Sequence, residues 1–202
     1  MKYLKLQTVF FFLIVLFAAC KSKDVSKPGG SVTISNEHTI LNPYSPLTAT
    51  ISLETSVATK ISIRVVGKHE AESDVLKDFD DVNTLHDIPV LGLYADYDNT
   101  VDVTFKDAGG LVLGSKSYTI KTSALPSATF PAITINSKNA ALMAPGMTLV
   151  SYFGYKDNPF PESPFIFDAF GDIRWYFDFR TSAILNNLFF DDGMERLQNG
   201  KK

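Results

Sequence analysis

The stretch that most limits the fold is Phe165-Ile-Phe-Asp-Ala-Phe-Gly-Asp-Ile-Arg-Trp-Tyr-Phe-Asp178. Aromatic and β-branched residues crowd both of its arms, which is strand chemistry. Phe165 to Phe167 reads as one strand, Ala169 to Asp172 as a tight turn, and Ile173 to Phe177 as the returning strand. Gly171 supplies the permissive backbone that such a turn needs. A two-stranded hairpin is marginal by itself in water. This one must therefore pack on other β structure.

Upstream, the pattern from Ser31 onward is alternation. Ala49, Ile51 and Leu53 alternate with Thr50, Ser52 and Glu54, and Ile61, Ile63 and Val65 with Ser62 and Arg64. Each set predicts a strand with one buried face. Val32 and Ile34 begin an earlier one, and Asn42-Pro-Tyr-Ser-Pro46 is a proline-punctuated loop. Gly67 to Leu85 is charged and loop-rich, with Asp74 to Phe79 open to either a strand or a helical turn. Pro89 restricts its run to an edge strand or a loop. Asn99 to Lys106 is the clearest strand, with Val101, Val103 and Phe105 facing in; Asp107-Ala-Gly-Gly110 turns it back into Leu111 to Thr122, where Tyr118 and Ile120 face the core. Six or seven short strands at this spacing predict an immunoglobulin-like β-sandwich over residues 31–122. The single Cys in the chain excludes the Cys–Trp–Cys pattern of antibody domains.

Residues 123–132 read as a linker. Brief strands are expected at Ile133–Ile135, Thr148–Phe153, Ala183–Phe190 and from Met194 to Leu197. The overall expectation is an all-β chain.

The N-terminus has the pattern of an export signal. Lys2 and Lys5 precede the apolar run Val9–Phe17, and Ala18-Ala19 is a small-residue cleavage site. The run is shorter than the about 20 residues of a membrane-spanning helix. Cys20 follows at once, and Leu16-Phe-Ala-Ala-Cys20 resembles the lipobox of bacterial lipoproteins. That resemblance implies residues 1–19 as signal peptide, acylation at Cys20, and an exported, membrane-anchored lipoprotein on the periplasmic or cell-surface side. Residues 20–30 are polar and read as a tether. The formal net charge is -3; losing residues 1–19 removes two lysines and no acids, giving -5. No basic face or nucleic-acid motif is present, so nucleic acid is not an expected partner.

Candidate chemistry is sparse. His38, His69 and His86 lack metal-ligand spacing and read as surface or loop residues. Asp96-Tyr-Asp-Asn99 lacks the glycine and later glutamate of a calcium loop and reads as a strand-entry turn. Asp80-Asp81 and Asp191-Asp192 read as solvated acids. Arg174 has a fork suited to an anion such as sulfate; its alternation with apolar neighbours favours the outward side of a half-buried strand, beside Trp175 as a packing residue. No cofactor fingerprint is found, and no cofactor or metal is expected.

Four stretches together carry a family resemblance: Ile88 to Val101, Met143-Ala-Pro-Gly-Met-Thr-Leu-Val150, Phe167 to Tyr176, and Met194-Glu-Arg-Leu-Gln-Asn-Gly200. In this order they resemble the N-terminal part of bacterial aryl-sulfate sulfotransferases. The resemblance implies an Ig-like sandwich followed by the first strands of a truncated six-bladed β-propeller over residues 133–202, often as a homodimer. It implies transfer of sulfate from a phenolic sulfate ester to a phenol through a transiently sulfated histidine, without a nucleotide donor. None of the three histidines matches the family's active-site positions, so no catalytic residue is expected in this chain. Gly200-Lys-Lys202 reads as an abrupt end, and the chain alone is expected to be inactive. The alternative is a membrane-anchored lipoprotein whose Ig-like domain binds a ligand without catalysis.

Overall fold

The computed structural model describes residues 31–126, 133–139, 142, 146–150, 164–178 and 182–184. Among them the regular structure is β, apart from one 3-10 turn at Glu70–Ser73. Six strands build the first body: β1 (Ile34–Asn42), β2 (Ser45–Val65), β3 (Val75–Asp78), β4 (Asn83–Val90), β5 (Asp98–Lys106) and β6 (Val112–Lys121). Three more, β7 (Thr148–Val150), β8 (Phe165–Phe167) and β9 (Ile173–Tyr176), form an antiparallel sheet of their own, in that order.

β2 organises the sandwich. The two strands expected at 49–54 and 61–65 are one strand of 21 residues. No Gly or Pro lies between Thr55 and Lys60 to break it. Instead the pairing with β4 shifts register between Glu54 and Thr59, and the strand turns a corner there. Its first half pairs with β1 and β4, and its second half with β3 and β5; β6 extends the second sheet beyond β5. Alternate residues Ala49, Ile51, Leu53, Ile61, Ile63 and Val65 all point into the core formed between the halves.

Other expectations are met locally. The Asn42–Pro46 loop is a tight β1–β2 turn in which the Asn42 carboxamide oxygen accepts the Tyr44 and Ser45 N–H groups. The Asp74–Phe79 segment resolves as the short edge strand β3, and Pro89 lies on β4, which pairs only with β2. Val101, Val103 and Phe105 are fully buried; Ile120 is in the core and Tyr118 packs at its margin. Residues Ile133–Ile135, expected as a strand, form none: Ile133 instead packs against the core, and both isoleucines lie over Gly171. The expected strands at 183–190 and 194–197 fall largely or wholly outside the described residues.

The hairpin β8–β9 is present as read. The Asp168 carboxylate accepts the N–H groups of Phe170 and Asp172, and Gly171 closes the turn at φ +89°. Phe165, Ile173 and Tyr176 join the same continuous core as the sandwich residues. β9 packs beside β2, and the Asp178 N–H donates to the Tyr44 carbonyl at 2.7 Å.

Candidate functional site

The polar centre of the molecule lies where the hairpin meets the sandwich. Two sandwich loops receive it: residues 66–74, between β2 and β3, and residues 91–97, between β4 and β5. The second is shaped by Asn99, which is fully buried. Its carboxamide accepts the Tyr94 N–H and donates to the carbonyls of Tyr94, Tyr97 and Ile120. The Thr122 hydroxyl adds a bond to the Tyr94 carbonyl. Asp96–Asn99 is thus the strand-entry turn that its residues suggested. Among the described residues no group of His, Cys, Asp or Glu is placed to hold a metal ion.

Arg174 enters this socket from β9. It is 0% exposed, and every nitrogen of its fork is occupied. Nε and Nη2 donate to the Gly92 carbonyl at 2.9 and 2.7 Å; Nη1 donates to the Ser73 carbonyl, the Tyr94 hydroxyl and Asp168 Oδ2 at 3.1, 2.7 and 2.8 Å. The guanidinium carbon sits 3.7 Å from the centre of the Tyr94 ring, in cation–π contact. The outward position expected for Arg174 is therefore corrected. Alternation along β9 identifies two faces, but here the second face is covered by the sandwich. Neither is the fork open to sulfate, because it is fully buried and each of its nitrogens already donates to the protein.

Gly92 makes this approach feasible. It has φ +79°, and a Cβ there would lie 2.9 Å from Val75 and 3.9 Å from Arg174 Nη2. Around the rim, His69 Nε2–H donates to Asp172 Oδ2 at 2.8 Å, and its ring stacks on Phe170 at 4.2 Å. Lys68 lies over both Tyr94 and Tyr97, and Lys138 over Phe170. A cleft of about 140 Å³ opens beside the socket, bordered by Glu72, Asp74, Asp168, Met147 and Phe170. Burial alone would raise the Asp74 carboxyl, but the Arg64 fork and the Gly67 N–H outweigh it and hold it below the usual range. Each acid of this cleft has a cation of its own: Asp74 pairs with Arg64, Asp168 with Arg174 and Glu72 with Lys138.

With this geometry in place, comparison with known families adds one finding. Residues 38–123 match the model of the arylsulfotransferase Ig-like domain. Over these residues the chain is similar to that domain. The match supports reading it as the N-terminal part of an arylsulfotransferase, and the separate sheet β7–β9 accords with early propeller strands. Comparison with curated proteins gave no match.

The matched region holds all three histidines, and the fold keeps them apart. His38 is exposed on β1. His69 is on the rim of the Arg174 socket. His86, expected at the surface or in a loop, is instead buried on β4, because its side chain points inward at the β2 corner; its Nε2 lies 3.0 Å from the Thr59 hydroxyl. Burial pushes its imidazole below the ordinary histidine range, against a smaller opposing effect of Asp81. Asp80 and Asp81 are exposed, as solvated acids should be. Cys20, Asp191 and Asp192 lie outside the described residues. Sequence reasoning missed Asp168, Gly92, Tyr94 and Asn99. Only Asp168 left a usable signal: a hairpin turn places it across from Arg174.

Proposed function

We propose that this chain is the N-terminal portion of an aryl-sulfate sulfotransferase, and that its own task is to locate the catalytic domain and seat its first strands. The observation that carries the reading is the arylsulfotransferase match over residues 38–123, joined to the insertion of Arg174 from the following hairpin into that domain. The proposed reaction breaks the O–S bond of a phenolic sulfate and forms an N–S bond to a histidine outside this chain. Attack by an acceptor phenol then breaks the N–S bond, forms the new O–S bond and releases the phenolic proton. His69 and His86 are each engaged in their own local contacts: His69 with Asp172 and Phe170, His86 with Thr59.

The test is turnover of 4-nitrophenyl sulfate with a phenol acceptor by the purified chain. No release of 4-nitrophenol above background is expected. Turnover that disappears on replacing His69 or His86 would overturn the assignment of the nucleophile to residues outside this chain. The same reading includes export, acylation of Cys20 and anchoring in a membrane, supported by the lipobox-like Leu16–Cys20. Intact mass of the polypeptide extracted from source membranes tests it. A mature N-terminus at Cys20 with acyl mass supports anchoring; a mass with residues 1–19 retained would remove it.

A further inference from the structure

We infer that the end of the sandwich opposite the Arg174 socket is a shallow docking surface for the lipid bilayer. The inference rests on the reading of Cys20 as an acylated anchor.

The sandwich has two unlike ends. At one, Leu47 meets Leu93, Lys68 meets the Tyr94 hydroxyl, and Tyr44 meets Asp178 of the hairpin. All the polar machinery that receives Arg174 is there. At the other end lie the β2 corner, the start of β4 and the tip of the β5–β6 hairpin. Thr59 pairs with Asn83 there, Lys60 with Lys106, and Lys106 with Val112. Four apolar side chains stand out from this end: Val57, Val82, Leu111 and Val112, each between 38% and 51% exposed. None of the four belongs to the core or packs against it. Exposed apolar residues gathered at one end of a molecule mark an interaction surface more often than singly scattered ones do.

The chain itself indicates the occupant. It enters the sandwich at this same end: the Ser56 N–H donates to the Thr33 carbonyl and the Thr33 N–H to the Ser56 hydroxyl, next to Val57, and Val32 lies against Gly114 of β6. Twelve residues separate Cys20 from Thr33, a reach of at most about 47 Å even when fully extended. An acylated Cys20 therefore holds this end near the bilayer at a high effective concentration. The hairpin and its socket face away. The exposed acids Asp80 and Asp81 beside Val82 give no attraction to anionic lipid, so the contact is apolar and shallow, with these acids left at headgroup level.

The experiment uses the full chain extracted in its native form and reconstituted into phosphatidylcholine vesicles. Single cysteines at Ala108→Cys, on the hairpin tip, and Asp98→Cys, at the socket end, carry an environment-sensitive fluorophore. Brominated lipid should quench the Ala108 probe and leave the Asp98 probe unchanged. Adding Val57→Ser, Leu111→Ser and Val112→Ser should reduce the Ala108 quenching about threefold, since these exposed side chains supply the apolar contact. Equal quenching at both positions, with acyl mass on Cys20 and the protein floating with the vesicles, would overturn the docking surface and leave the anchor intact. A free, labelable Cys20 thiol and no flotation would overturn the anchor and this inference with it. Concentration-dependent shielding of the Ala108 probe without vesicles would mean that a second copy occupies the surface, and would also overturn it.

Discussion

Replacing Arg174 with Met would remove five hydrogen bonds and leave Asp168 charged in a site only 5% exposed. Breaking one partner of a buried pair costs about 3–5 kcal/mol, so urea unfolding of Arg174→Met should show a loss of that size. Asp168→Asn keeps the Oδ1 acceptor that closes the turn. Combined with Arg174→Met, it should recover part of the loss; no recovery would mean that the Arg174 bonds to Gly92 and Tyr94 outweigh the stranded charge. His86 acts through pH instead. Its folded pKa is lowered by burial from an ordinary 6.5, so its contribution is complete above that pH and is lost as pH falls towards the folded value. Stability measured between pH 7.5 and 5 should decline more in wild type than in His86→Gln. An equal decline would remove His86 as the source.

At the scale of elements, the ribbon of β2 with β3 and β4 determines the sandwich. Its inward residues serve both sheets, so Ile51→Ala should cost about 2–5 kcal/mol. Leu85→Ser, on the outer side of β4 and 70% exposed, should change stability by no more than about 0.5 kcal/mol. Equilibrium unfolding of the two variants checks both figures. A large loss for Leu85→Ser would mean that its face is covered. The strands of this ribbon are legible in the sequence because alternation is a local property of each segment. The corner is not, since a register shift between Glu54 and Thr59 is defined only by what pairs on either side.

For the whole molecule, the shared core predicts coupled unfolding. The chain has one tryptophan, Trp175, and it lies on β9. Its fluorescence therefore reports the hairpin, while far-UV circular dichroism is dominated by the sandwich. With Phe165, Ile173 and Tyr176 packed into the sandwich core, the two signals should give coincident urea midpoints. In Arg174→Met the fluorescence midpoint should fall first. Separate midpoints in wild type would mean that the hairpin docks without sharing the cooperative core.

The sequence by itself determined the all-β class, most of the strands, the turn at Gly171 and the resemblance to an arylsulfotransferase N-terminal region, because each rests on local pattern or on motif order. Only the tertiary structure decided what Arg174 does. Alternation assigned it to one face of β9, and local pattern cannot say whether that face meets water or another domain. The answer lies about eighty residues upstream, in a glycine whose backbone leaves room, a tyrosine that supplies ring and hydroxyl, and an asparagine that holds their loop. Those partners are joined to Arg174 by folding alone, and no spacing in the chain records them.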